Sequence, residues 1–202
     1  MLIGMSPVKR IVPNQCCGVI IDVQAYFLSQ LDKRLRARIE TNTASLVRLL
    51  GWLKIPVVAT LERLVEEKGT LPRSIGKHLG GRTAIFEKDY FDLCKEKTIK
   101  SHLAGLKKKQ IIVAGCETDV CVLQSCLGLL SLGYQVFVVE ELLFSSARDV
   151  SSAVARMKAE GAVFVSYKTL YFELIEAVGG SAHAEKLWRK LGPFPDIPEQ
   201  AV

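Results

Sequence analysis

Apolar residues recur along this chain in two alternating rhythms. Short aliphatic and β-branched runs at residues 17–23, 56–60, 83–87, 110–115, 134–139 and 162–166 predict six buried strands, because a strand covered on both faces has no polar side to alternate with. Between them Leu35, Ile39, Leu46, Leu49, Leu50 and Leu53 repeat at helical spacing and predict a helix over 31–53. Further helices are predicted over 98–106, 119–132, 149–160, 169–178 and 182–191, with Gly133 and Gly161 as stops for the second and third of these. Residues 62–81 are rich in charge and broken by Gly69, Pro72, Gly76, Gly80 and Gly81, so they read as a long loop with one helical turn, of the kind that usually has a function. Residues 193–202, with three prolines, read as an extended arm. Strands alternating with helices predict an α/β fold: a doubly wound, six-stranded parallel sheet with helices on both faces.

Composition narrows the picture. The 202 residues, 49% of them hydrophobic, show no shift that would mark a second unit, so one domain over 1–202 is expected, with its core at about 17–178 and a C-terminal helix and tail over 179–202. Lys and Arg exceed Asp and Glu by 27 to 21, but the charges are dispersed. The densest run, Lys107 to Lys109, precedes a strand, offsets the negative end of a helix and has no interleaved aromatics, so nucleic-acid binding is not expected. No apolar run approaches about 18 residues, so no membrane span is expected. Six cysteines, and no leader-like stretch over 1–10, predict free thiols in a reducing, cytoplasmic setting. The cysteines form no C-x-x-C pair, and His78, His102 and His183 lie far apart, so neither a metal nor a cofactor is expected.

Candidate chemistry gathers where strands end. The strand at 110–115 runs through Cys116 and Glu117 into a helix that begins near Cys121, where free N–H groups and the helix dipole favour thiolate over thiol. Thr118 and Asp119 stand where that helix would be capped. Asp22 closes another apolar strand and, if buried, needs a hydrogen-bonding or cationic partner; Lys88, after Ile85 and Phe86, is a candidate. In doubly wound sheets the ligand crevice lies beyond the carboxyl ends of the strands, which is where Asp22 and Cys121 fall.

Three segments together resemble one family. Ile20-Ile21-Asp22-Val23-Gln24 with Phe27, then Phe86-Glu87-Lys88-Asp89-Tyr90-Phe91, then Gly115-x-x-Thr118-Asp119-x-Cys121-Val122 are similar in order and spacing to the isochorismatase-like cysteine hydrolases. The resemblance runs from about residue 17 to 174 and includes Thr60-x-Glu62 with Gly69, which looks like a subgroup of unassigned substrate. It implies a Rossmann-like hydrolase fold and a catalytic triad of Asp22, Lys88 and Cys121. In that scheme Lys88 favours the thiolate, Asp22 takes the thiol proton and returns it to a leaving amine, and Cys121 forms an acyl-enzyme that water releases. The resemblance further implies an oxyanion hole from the N–H groups of Glu117 and Cys121, and a cis peptide between Cys116 and Glu117. Gln24, Phe27 and Thr118 are expected at the substrate pocket, and a homo-oligomer is expected, with Phe194, Ile197 and residues 1–7 as candidate contacts. Nicotinamidase members of the family hold a metal through an Asp-x-His motif after the second strand; residues 60–68 contain none here.

The expected activity is therefore metal-independent hydrolysis of a small-molecule C–N amide-type bond. Two other readings stand beside it: a catalytically silent, oligomeric interaction or scaffold protein, and a redox-responsive thiol at Cys121 near Cys116 and Cys126. Arg63, Arg73 and His78, in the 62–81 loop, are candidates for substrate contact.

Overall fold

The structure, a computed structural model, describes residues 9–176 together with 185, 186 and 189. The expected helix at 182–191, the arm at 193–202 and the N-terminal stretch 1–7 lie outside the described residues, apart from those three positions. The strands are β1 Cys16–Ile21, β2 Val57–Glu62, β3 Thr83–Lys88, β4 Gln110–Gly115, β5 Gln135–Leu143 and β6 Val163–Val165. They form one sheet in the order β3-β2-β1-β4-β5-β6, and every neighbouring pair is parallel. The order reverses between β1 and β4, so the crevice beyond their carboxyl ends is the topological switch point.

All six residues of β1 and of β4 are buried, as expected for central strands covered on both faces. Alternation sends their side chains to two separate cores: Ile20 packs on one side with Leu46, Leu50, Phe137 and Leu170, and Val19 and Ile21 on the other with Ile99, Leu103, Cys126 and Met157. The helices α2 Lys33–Trp52 and α8 Tyr167–Ile175 cover the first face; α5 Lys97–Gly105, α6 Leu123–Ser131 and α7 Ser151–Ala159 cover the second. Each fully buried aliphatic side chain contributes about 1.5–3 kcal/mol relative to exposure. Gly18 in β1 lets α2 come close, since a Cβ there would stand 2.5 Å from Leu50 Cδ1.

Several boundaries differ from expectation for local reasons. Helix α2 begins at Lys33 because Asp32 caps it, its Oδ1 accepting from the N–H groups of Arg34 and Leu35 at 3.0 Å each. Strand β5 extends to Leu143 because a register shift beside Val113 and Gly115 pairs Gly115 with Leu143. A five-residue helix, α1 Ala25–Ser29, follows β1 directly. The 62–81 segment carries two single turns, α3 Val65–Lys68 and α4 Arg73–Gly76, and Ile75 is fully buried against the α2 side of the sheet. Among the described residues no helix is long and apolar enough to cross a membrane.

Candidate active site

Four adjacent strands deliver one side chain each to the carboxyl edge of the sheet. Asp22 follows β1, Glu62 and Lys88 are the last residues of β2 and β3, and Cys121 lies just beyond β4. Asp22 adopts φ 50°, a left-handed conformation that Asp tolerates better than bulky residues, and its N–H donates to the Thr60 carbonyl at 3.2 Å. Its Oδ1 accepts the Thr60 hydroxyl at 2.7 Å. The Lys88 ammonium stands 2.7 Å from Oδ2, a contact of charges without the alignment of a directed hydrogen bond. Neither side chain is exposed, and Lys88 is the buried position of an otherwise half-exposed edge strand.

The sulfur sits among these charges. Lys88 Nζ is 3.4 Å from Cys121 Sγ, and the thiol donates to Glu62 Oε2 at 3.2 Å. Glu62 Oε2 is 3.8 Å from Lys88 Nζ, and its other oxygen accepts from Lys68 Nζ at 2.5 Å. Cys121 is 2% exposed and the Glu62 side chain 17%, so solvent reaches the cluster at Glu62. Asp22, Glu62 and Cys121 each offer a ligand-type atom within 4.8 Å of the others. The Lys88 ammonium lies against all three, so the positive charge at that point is the chain's own.

Burial, and then the charge of Asp22 and the hydrogen bond to Glu62, raise the Cys121 thiol well above its ordinary value against the opposing pull of Lys88. Burial and the two carboxylates thus act against the thiolate that the turn and Lys88 are expected to favour. Burial also raises Asp22, opposed by Lys88, while Lys88 itself is lowered by burial but raised on balance by Asp22, Cys121 and Glu62. With the two groups 2.7 Å apart, each favours the charged form of the other against burial. For Glu62, burial acts upward, but Lys68, the Cys121 thiol and Lys88 hold the carboxyl below the usual range.

The turn that carries Cys121 is built differently from the expected capped helix. Gly115, at φ 131°, leaves no room for a side chain: a Cβ would meet Ile21 O at 2.0 Å. The Cys116–Glu117 peptide is cis, as is Arg63–Leu64 at the end of β2. Thr118–Val122 then forms one π-helical turn before α6 begins. Thr118 and Asp119 do not cap it. The Thr118 hydroxyl donates to Phe144 O at 3.0 Å, and Asp119 Oδ1 accepts from the Ser145 hydroxyl at 2.6 Å. Glu117 accepts from the N–H and hydroxyl of Ser146, so side chains of 117–119 clamp the turn to residues 144–146. Thr118 is 2% exposed, which places it beneath the turn.

Gln24 is a brace in place of a pocket wall. It is fully buried; its Nε2 donates to Glu62 O at 3.1 Å and Gly69 O at 2.8 Å, and its Oε1 accepts from Glu62 N at 2.7 Å. Phe27 is 9% exposed, with the Lys68 ammonium 6.0 Å from its ring centroid. Cys116 donates to Asp22 O at 3.1 Å from a fully buried position. Arg63 is bound outward, to Glu87 and Asp89 at 3.0 and 2.8 Å. His78 lines a cavity of about 470 Å³ with Lys77, Arg82 and Thr83, at the amino end of β3. That is about 16 Å along the strand from Lys88. Glu62 is the residue sequence reasoning missed, because the strand was expected to end at residue 60 and β2 runs on to Glu62.

The family model described as isochorismatase domain matches residues 16–169. Isochorismatase family protein 1A of Dictyostelium discoideum is 29% identical over 175 residues, covering 84% of this chain and 83% of that protein. Secreted isochorismatase effector Isc1 of Phytophthora sojae is 30% identical over 175 residues, covering 84% and 81%. Among solved structures, the MAR1 ribonuclease of Caenorhabditis elegans superposes with a TM-score of 0.82 at 27% identity, over 96% of this chain and 97% of that one.

Proposed function

The chain belongs to the isochorismatase family, and on that premise we propose that it is a cysteine hydrolase cleaving a small-molecule C–N amide-type bond through an acyl-enzyme on Cys121. The observation that carries the reading is the buried Asp22–Lys88 pair with its ammonium 3.4 Å from the sulfur. As Cys121 attacks a carbonyl, the charge that develops on sulfur meets a cation already in place, so little reorganisation is needed. The N–H groups of Glu117 and Cys121 are the proposed donors to the oxyanion, each contributing about 3 kcal/mol in comparable sites. No metal is required, since Lys88 supplies the positive charge. Two carboxylates beside the nucleophile favour a neutral or amine-bearing substrate over a phosphodiester, which both would repel. The sulfur is 2% exposed, so a substrate reaches it only when the residues around it shift.

Self-association belongs to the same proposal. Tyr26, Leu64, Tyr90 and Phe91, each about half exposed, follow the carboxyl ends of β1, β2 and β3 and frame the site with apolar surface that a second copy of the chain would cover.

The test is turnover of a panel of small amides by the wild type and by Cys121→Ala, with intact-mass detection of an acyl adduct. Turnover that disappears with Cys121, and an adduct mapped to it, are expected. Hydrolysis that survives in Cys121→Ala overturns the reading. So does a panel that is neither cleaved nor captured, which with the closed thiol favours a catalytically silent interaction protein.

A further inference from the structure

We propose that the cavity at the amino ends of β2 and β3 is a binding site for a small organic phosphate, its charged group held by Lys77, Arg82 and His78 and its apolar body laid against Trp52 and Ile55. The site lies at the opposite edge of the sheet from Cys121, so it is separate from the hydrolase reading and does not depend on it.

The cavity, of about 470 Å³, is enclosed by the last turn of α2, the first residues of β2 and β3, and the chain between α4 and β3. That volume falls within the range of sites that take small ligands. Its lining divides by chemistry. Val47, Ile55 and Val57 are buried and form an apolar floor beside the half-buried Trp52. Around that floor stand Arg48, Lys77, His78 and Arg82, and no carboxylate lines the cavity. Near Cys121 the cations are neutralised, Arg63 by Glu87 and Asp89, Lys68 by Glu62 and Lys88 by Asp22. Lys77 and Arg82 differ: both are exposed and, among the described residues, neither is in an ion pair.

The carbonyl end of α2 closes on the same space and accounts for part of this gathering. Its partial charge is only about −0.5, so two full positive charges outweigh it even with Arg48 left out. Their effect reaches into the cavity. Burial first, and then the charges of Lys77 and Arg48, hold the His78 ring below its ordinary value. An entering anion offsets those two charges, so its binding and the protonation of His78 reinforce each other. A phosphate monoester suits the site better than a carboxylate, because its second charge near neutral pH meets a second cation. The approach is open, since a Cβ at Gly80 or Gly81 would meet nothing within 4 Å.

The experiment uses the full chain and phenyl phosphate, with inorganic phosphate, benzoate and phenol as comparison probes, read by calorimetry and by the imidazole signals in NMR. Phenyl phosphate should bind at least about tenfold more tightly than each of the others, since charged head and apolar body both contribute. It should shift the His78 signals and move their titration upward, while His102, on α5, stays unmoved. Replacing both cations, Lys77→Gln with Arg82→Gln, should weaken binding by about 100-fold, roughly tenfold for each charge-assisted contact. The urea melt and the rate at which iodoacetamide labels Cys121 should not change. Benzoate binding as tightly as phenyl phosphate overturns the phosphate assignment, and inorganic phosphate binding as tightly overturns the apolar contact. Binding that survives the double substitution, or that leaves His78 unshifted, puts the ligand elsewhere and overturns the site, as does the absence of binding at millimolar phenyl phosphate.

Discussion

Replacing Lys88 by methionine removes the ammonium 2.7 Å from Asp22 Oδ2 where neither side chain is exposed. Methionine matches the length of the lysine stem but offers no charge, so Asp22 keeps the Thr60 hydroxyl and the Cys121 thiol but no cation. Breaking a buried pair by deleting one partner costs about 3–5 kcal/mol, a large share of the roughly 5–15 kcal/mol that holds a domain together. For a chain of this length that is a melting shift of roughly 6–20 °C. The sign with pH follows from Asp22. Its folded value, already raised by burial, rises further without Lys88. A carboxyl with a raised folded value stabilises fully below its unfolded value of about 4 and loses that contribution as pH rises through the folded value. The deficit of Lys88→Met should therefore be smallest near pH 4 and widen toward neutrality. Urea melts of wild type, Lys88→Met, Asp22→Asn and the double variant at both pH values test this. The double variant should lose far less than the sum of the singles. A neutral-pH deficit below about 0.5 kcal/mol, or additivity within that margin, refutes the account of the pair as a mutually dependent unit.

Other outcomes follow from the same geometry. Iodoacetamide should label Cys121 of the resting protein no faster than free cysteine at pH 7, with the rate climbing only in alkali; preferential labelling at pH 6 contradicts a protonated resting thiol. Cys16, Cys17, Cys94 and Cys126, pushed up to about 12 by burial, should stay unlabelled until the chain unfolds, as peptide mapping will show. Gln24→Leu leaves Glu62 N–H and Gly69 C=O without their buried partner. It should cost about 2–4 kcal/mol and speed amide exchange over residues 62–69, whereas unchanged exchange there would remove the bracing role. Gly115→Ala places a Cβ 2.0 Å from Ile21 O at positive φ, so a loss of about 3 kcal/mol or more is expected in chemical denaturation. A stability like that of wild type would mean that the strand end relaxes freely.

Much of the site was legible because each strand ends in a residue whose chemistry contradicts its surroundings. An aspartate after Ile20 and Ile21, a lysine closing an edge strand and a cysteine after a glycine-ended run stand out in one dimension, and the sheet brings them together. Glu62 was hidden because it opens a segment dense in other charges, so nothing in linear order separates a buried-facing carboxylate from the exposed Glu66 and Glu67. Gln24 misled for a related reason: an amide beside a catalytic position suggests ligand contact, yet its three bonds are to backbone that only the folded β2 brings near. The influences opposing a thiolate were not legible, because a dipole and one lysine are visible in sequence, whereas burial and a second carboxylate are properties of the assembled fold. Thr118 and Asp119 have the right chemistry to cap a helix, but the arrival of residues 144–146 after β5 supplies stronger local partners.

The cluster takes one side chain from each of four neighbouring strands, β3, β2, β1 and β4, separated in the chain by up to 99 residues. No fragment of the polypeptide contains it. A newly made or half-assembled chain presents this cysteine as an ordinary exposed thiol, and the four-residue cluster comes into being only with the last of those strands. The assembled cluster is thus a certificate of complete folding, issued by the same alignment that withdraws the sulfur from solvent and its oxidants.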